Sequence, residues 1–314
     1  MNKVSEIKQE VQKVIVGQEH LIDAMLIGLL SEGHILVEGV PGLAKTTAIN
    51  ALAKTLGLDF KRVQFTPDLL PSDITGTEIY DPKTGEFKIK KGPIFTNLLL
   101  ADEINRAPAK VQAALLEVMQ ERQVTIGDKT FKIEKPFLVL ATQNPVEQEG
   151  TYPLPEAQLD RFMLKVVVGY NTPEEEALIV KRVASKDFGA INQVANKEDI
   201  FAMQEEVNNI HIDDALIDYI VSIIYATREP AKYGLADLAE YIEFGASPRA
   251  SINMFKAAKA YAYIHGKDYV TPLDIAAVAP DVLRHRIILN YKAVASGITT
   301  DDIIKKVLEK LPLP

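Results

Sequence analysis

Residues 35–57 read ILVEGVPGLAKTTAINALAKTLG: a short apolar run, a glycine-rich turn, then a segment with helical periodicity. Strand, turn and helix in that order form the context in which a phosphate-binding loop is credible. Gly39 is followed by Val40, Pro41, Gly42 and Leu43, then by Ala44, Lys45, Thr46 and Thr47, so the spacing of such a loop is complete with alanine in place of its second fixed glycine. Gly39 and Gly42 let the chain turn tightly. Backbone N–H groups at the helix start would face the phosphates, Lys45 adds a point charge, and the Thr46 hydroxyl can join a Mg²⁺ shell. Alanine is tolerated at 44 if the backbone there is already right-handed helical, because a Cβ is penalised only at positive φ. The bland alternative is a Gly-Pro turn followed by a chance Lys-Thr.

Outward from this stretch, residues 1 to about 170 alternate apolar runs with helical patterns: HILVEG, KRVQF, NLLLADE, PFLVLATQNP and MLKVVVG are the strand candidates. Strands apolar throughout and separated by helices predict an α/β unit with a mostly parallel sheet covered on both faces. TEIYDPKTGEFKIKKG and QVTIGDKTFKIE break the alternation. Each has alternating apolar residues on both sides of a polar turn, which predicts two inserted β-hairpins. After residue 197 strand signals fade, and Pro and Gly punctuate a helical pattern. The expected organisation is a core over 1–185 and an all-helical domain over 198–314.

Composition narrows the classes. Hydrophobic residues make up 47% and charged residues 25%, ordinary for a folded soluble chain. There is no cysteine, which excludes disulfides and thiolate metal sites and suits a cytoplasmic location. LIDAMLIGLL is interrupted by Asp23 and too short to span a bilayer, so no membrane insertion is expected. A net charge of −8 opposes a broad phosphate-tracking surface, and nucleic acid is not expected as a partner. The hairpins do not reverse this: Lys83, Lys88, Lys90 and Lys91 face Glu78, Asp81 and Glu86, and Lys129, Lys132 and Lys135 face Asp128 and Glu134.

Two more strand ends carry candidate chemistry. NLLLADEIN ends in Asp102-Glu103: the first acid is placed to hold Mg²⁺ and the second to polarise an attacking water. The same residues could begin a helix, with Asn105 as N-cap and Pro108 in the first turn. PFLVLATQNP ends in Asn144, whose amide could reach a γ-phosphate or position the water. LPEAQLDRF supplies Arg161 and GASPRAS supplies Arg249.

The order of these motifs resembles the AAA+ ATPases. The strings EGVPGLAKT, LLADEINRAPAKVQAALLEVMQERQVT, LATQNPVEQEGTYPLPEAQLDRF and ASPRA resemble the MoxR family over nearly the whole chain. The resemblance implies a P-loop core followed by a helical lid, with the hairpins as the inserts of this AAA+ branch. It implies ATP and Mg²⁺ as cofactors, contacted by Lys45 and Thr46, with Asp102 as the Mg²⁺-organising acid and Glu103 as general base. Asn144 corresponds to the first sensor, Arg161 to the arginine finger that reaches a neighbouring subunit, and Arg249 to the second sensor, in cis or in trans. VIVGQ resembles the adenine-side segment, placing Val16 and Gly17 at the base. The family further implies a homo-hexamer acting as a chaperone on partners with a von Willebrand A domain. A DNA-remodelling motor of the helicase type is the competing expectation.

Overall fold

The most apolar strands take the middle of the sheet, and their polar last residues open towards one edge of it. The computed structural model describes residues 3–40, 42–145, 150–185 and 189–314. Helices α1 (Lys3–Gln12) and α2 (Glu19–Leu30) precede β1 (Ile35–Glu38), α3 (Lys45–Leu56) and β2 (Phe60–Gln64). A short α4 (Pro71–Thr75) leads into the hairpin β3 (Gly76–Asp81) and β4 (Glu86–Lys91). Then follow β5 (Leu98–Asp102), α5 (Ala109–Glu121), the hairpin β6 (Gln123–Ile126) and β7 (Lys129–Lys132), and β8 (Leu138–Gln143). The short α6 (Glu156–Leu159), β9 (Leu164–Val167) and α7 (Pro173–Ser185) complete the first part.

β2, β5, β8, β1 and β9 form one five-stranded sheet in that order, all parallel. Alternation along the strands divides two cores. Ile35, Val37, Leu98, Leu100, Leu138 and Leu140 pack on the face that carries α1, α2 and α3, whereas Leu36, Leu99, Ala101, Val139 and Ala141 pack towards α5 and the hairpins. Both faces are covered, so the central strands are apolar at consecutive positions. The exceptions lie at their carboxyl ends: Glu38, Asp102 and Gln143, which are only partly buried, and the buried Thr142 of β8. Ligands of open parallel sheets bind beyond such carboxyl ends.

The second part contains α8 (Lys197–Asn209), α9 (Asp214–Arg228), β10 (Ile242–Phe244), α10 (Pro248–Ile264), α11 (Pro272–Leu283), β11 (Ile288–Leu289), α12 (Tyr291–Ala295) and α13 (Thr300–Lys310). Its helix starts are written locally: Asn196 with Asp199, Thr271 with Asp274 and Thr299 with Asp302 form reciprocal capping boxes. It is helical apart from an isolated bridge between His211 and Tyr269 and one short ladder. Ile242 pairs with Leu289 and Phe244 with Ile288 in a two-stranded antiparallel ladder, where the extended run before Gly245 has a β-branched and an aromatic residue but is too short to show a period. The core face of α2 continues into this part, with α2 packed on α10.

The Asn105 N-cap expectation is replaced by a different start. Ile104–Arg106 forms one 3₁₀ turn, and α5 begins at Ala109 with Pro108 at the cap.

Candidate active site

Gly39 directly follows β1 and must pass close to the residue after β9: a Cβ on it would stand 2.8 Å from the Val168 carbonyl oxygen. Gly42 has φ +89°, open only to glycine at low cost. Ala44 is a correction to the expectation of right-handed backbone, since its φ of 55° and ψ of 19° are left-handed. The loop has to reverse its hand to enter α3, and alanine adopts here the conformation for which the usual glycine serves, at roughly 1–2 kcal/mol. Pro41 lies outside the described residues. Val40 is partly buried against the core and Leu43 is buried.

Beyond this loop lies a cavity of about 400 Å³. The loop residues Gly39, Gly42, Leu43, Ala44, Lys45, Thr46 and Thr47 form one wall, and Asp102, Glu103 and Asn144 from the ends of β5 and β8 form the other. Lys45 Nζ donates to the Gly39 carbonyl at 2.8 Å. Burial pulls its ammonium below the ordinary lysine range, against the opposing pull of Asp102 and Glu103.

The two acids are held by their neighbouring strands. Thr142 on β8 donates its hydroxyl to Asp102 Oδ1 at 2.6 Å and accepts the Glu103 N–H at 2.8 Å. On β2, Arg62 donates through Nε (3.1 Å) and Nη2 (2.6 Å) to Asp102 Oδ2, and Gln64 Nε2 donates to Glu103 Oε2 at 2.8 Å. Arg106 lies 3.3 Å from the same Glu103 oxygen. Glu103 itself is left-handed, with φ 56°. A non-glycine residue in that region costs of order 1–3 kcal/mol and persists where its surroundings over-determine it. Glu103 and Ala44 thus both hold backbone strain against one cavity.

Three of the gathered residues were not legible as site residues in the sequence. Arg62, Gln64 and Thr142 read only as parts of the strands KRVQF and PFLVLATQ. The available signal was period two: Arg62 and Gln64 share one face of a strand whose register pairs Gln64 with Asp102.

Arg161 and Arg249 do not line this cavity. They meet in a second one of about 270 Å³, together with Met119, Gln120, Asp160, Ile252 and Asn253. Val16 and Gly17 lie outside both. The Val16 carbonyl accepts from Asn171 Nδ2 at 2.9 Å, and Gly17 has φ 67°.

Lys45, two carboxylates and a buried amide around a strand-turn-helix loop are the equipment for binding and hydrolysing a nucleoside triphosphate. Residues 34–164 match the family described as ATPases associated with various cellular activities, and residues 236–307 match the AAA lid domain. The chain is 52% identical over 305 residues to Chaperone MoxR1 of Mycobacterium tuberculosis, covering 97% of this chain and 81% of that protein. It belongs to the MoxR family of AAA+ ATPases. Protein MoxR of Paracoccus denitrificans is 33% identical over 297 residues, covering 88% of this MoxR-family chain and 86% of the relative. A crystal structure of a candidate ATPase from Cytophaga hutchinsonii superposes with a TM-score of 0.94 at 55% identity, over 100% of this chain and 95% of the other. This MoxR-family protein is accordingly an ATPase with a parallel-sheet AAA+ core and a helical lid. Among the described residues no helix is long and apolar enough to cross a membrane.

Proposed function

We propose that this MoxR-family ATPase works as a ring of identical subunits, a homo-hexamer, that uses ATP hydrolysis to remodel or activate protein clients carrying a von Willebrand A domain. The observation that carries the ring is the division of the site. Lys45, Asp102, Glu103 and Asn144 line one cavity while Arg161 and Arg249 line another. Two copies placed head to tail would bring one copy's arginine pair to the other's nucleotide, a heterologous contact that generates a ring when its rotation closes. In this reading Arg249 acts in trans beside Arg161, and the working parts are a core over 1–185 and a lid over 198–314.

Within one subunit the loop N–H groups and Lys45 bind the phosphates. Glu103 orients the attacking water and accepts its proton, and the Asn144 amide fixes the geometry at the γ-phosphate. Thr46 and Asp102 offer a hydroxyl and a carboxylate to the same cavity, an all-oxygen set that fits Mg²⁺ with most of its remaining shell from phosphate and water. When bound, that ion would supply charge neutralisation across the β- and γ-phosphates. Val16 and Gly17 are assigned to the adenine side.

The chaperone reading is supported by the name of the 52% identical relative. It also fits the first hairpin, whose exposed Tyr80 and Phe87 form a cross-strand pair with ring centroids 5.3 Å apart, a surface suited to protein. The test is affinity capture with Glu103→Gln protein, which should bind ATP without hydrolysing it. ATP-dependent recovery of a von Willebrand A-domain protein is the expected result, and recovery of DNA with replication or repair proteins would overturn it.

A further inference from the structure

Where the lid meets the core, the Asp160 carboxylate receives contacts from two lid elements. Arg286 Nε donates to its Oδ1 at 2.7 Å, and the Ser247 hydroxyl lies 3.0 Å from each of its oxygens. The rest of the Arg286 guanidinium is also committed. Its Nη2 donates to the main-chain carbonyls of Asp160 at 3.0 Å and Phe162 at 2.6 Å, and its Nη1 to those of Met163 at 3.1 Å and Val282. All five N–H donors of an arginine are thereby used. The side chain is 1% exposed, so this buried cation is fully satisfied and cannot shift without losing a partner. Neighbouring His285, also buried, contacts the Phe162 carbonyl at 3.0 Å.

Both arginines of the second cavity are attached to this junction. Arg161 directly follows Asp160, which caps α6, and Arg249 lies in the first turn of α10, which is capped by Ser247. Asp160, Arg161 and Arg249 share one cavity wall. Arg249 is also near enough to act on Arg286: burial chiefly lowers the Arg286 pKa and the Arg249 charge adds to it, while Asp160 opposes both. Arg286 is thus bonded to the Asp160 carboxylate with Arg249 within electrostatic reach, and Arg161 lines the same cavity as Asp160 and Arg249. Without that carboxylate the charges of Arg286 and Arg249 would repel with nothing to offset them, and the cavity itself is lined by the two cations Arg161 and Arg249 and the one carboxylate Asp160.

We propose that Asp160, Ser247 and Arg286 form a positioning clamp, which sets the spacing of Arg161 and Arg249 so that they reach the next subunit's triphosphate as a pair. The clamp ties a residue of the core to two residues of the lid, so a shift of the lid would disengage both arginines together. The proposal rests on the reading that Arg161 and Arg249 act in trans.

The experiment measures steady-state ATP turnover of Asp160→Asn, Ser247→Ala and Arg161→Ala, with light scattering of the assembled protein alongside. Asp160→Asn keeps the shape and Ser247→Ala removes only a hydroxyl, so at least one is expected to fold. Both clamp variants should lose about 10- to 100-fold in kcat, the scale of a misplaced catalytic group, with KM for ATP little changed. Mixing either variant with inactive Glu103→Gln protein, whose clamp and arginines are intact, should raise turnover several-fold above either protein alone. A merely structural defect in the variant would not be repaired from a neighbour. Wild-type kcat in both clamp variants while Arg161→Ala is inactive would overturn the clamp and leave the trans arginines standing. Wild-type kcat in Arg161→Ala would instead overturn the reading beneath it. A fall in kcat that no mixture relieves would assign Asp160 and Ser247 to folding alone.

Discussion

Thr142 donates to Asp102 at 2.6 Å and accepts the Glu103 N–H at 2.8 Å, so one buried hydroxyl on β8 sets both acids at the end of β5. Thr142→Val keeps the shape and deletes both bonds. The Glu103 N–H loses its partner at a cost of about 1–3 kcal/mol, and the left-handed backbone at Glu103 loses a constraint. Turnover should fall by about 10-fold or more with ATP affinity nearly intact, as expected when the group that orients water is misplaced. Single-turnover hydrolysis together with nucleotide titration separates the two quantities. An unchanged kcat would show that the remaining contacts of Glu103, to Gln64 and Arg106, suffice to position it.

Arg62 competes for the carboxylate that Mg²⁺ would use. Its guanidinium donates twice to Asp102 Oδ2, and its side chain is 48% exposed, so the ion pair is a weak one. Arg62→Ala should therefore lower the Mg²⁺ concentration needed for half-maximal turnover by roughly two- to five-fold, the range of a partly exposed pair. The measurement is ATP hydrolysis across a Mg²⁺ titration at fixed ATP. A higher Mg²⁺ demand would instead make Arg62 a contact to the nucleotide.

The contrast between these residues shows what a linear sequence can carry. Asp102, Glu103 and Asn144 were legible because each sits at or just past the end of an apolar strand, and Lys45 because the loop that follows such a strand has a fixed spacing; the strand-turn order alone brings these ends to one edge of a parallel sheet. Arg62 and Thr142 were not, because their roles depend on which strands are neighbours, and the order β2, β5, β8 is a property of the folded sheet. Ala44 was legible in position but not in conformation: spacing marks the loop, whereas the sign of φ follows from how the loop must enter α3. The lid helices were readable from their punctuation, yet the meeting of Arg161 with Arg249 joins residues far apart in the chain through α10 and the Asp160 junction.

Buried His34 predicts an acid-sensitive core. Its Nδ1 accepts the Val139 N–H at 3.0 Å and its Nε2–H donates to the Met119 carbonyl at 3.1 Å, so both nitrogens are satisfied by the neutral ring. Burial, aided by the charge of Arg122, holds its pKa at about 4. The unfolded chain titrates it near 6.5, so between these values the unfolded state binds more protons. The contribution of His34 is fully present above about pH 6.5 and is lost as the pH falls towards 4. Between pH 7 and pH 5 this amounts to about 2 kcal/mol. Urea unfolding at both pH values should show wild type losing that much more stability than His34→Gln, which keeps a donor and an acceptor but no proton to gain. Parallel losses would remove His34 as the titrating group.

Ala44 offers a test in which the sign of the effect is the result. Its left-handed φ of 55° places Cβ against the following carbonyl at roughly 1–2 kcal/mol, a cost that glycine does not bear. Glycine would in turn lose more backbone freedom on folding, by roughly 0.5–1 kcal/mol. The Ala44 side chain is exposed, so its removal sacrifices no packing. The balance for Ala44→Gly is therefore a gain of up to about 1.5 kcal/mol, with ATP turnover retained because the loop keeps the same path. Ala44→Val works in the opposite direction, since a β-branched residue is a genuine outlier at positive φ and would push the loop away from the phosphates. Thermal melts and nucleotide titrations of the pair are expected to give Ala44→Gly at or above wild type in both, and Ala44→Val below it in both. A destabilised glycine variant would mean that the methyl group, rather than the turn, holds the entrance to α3.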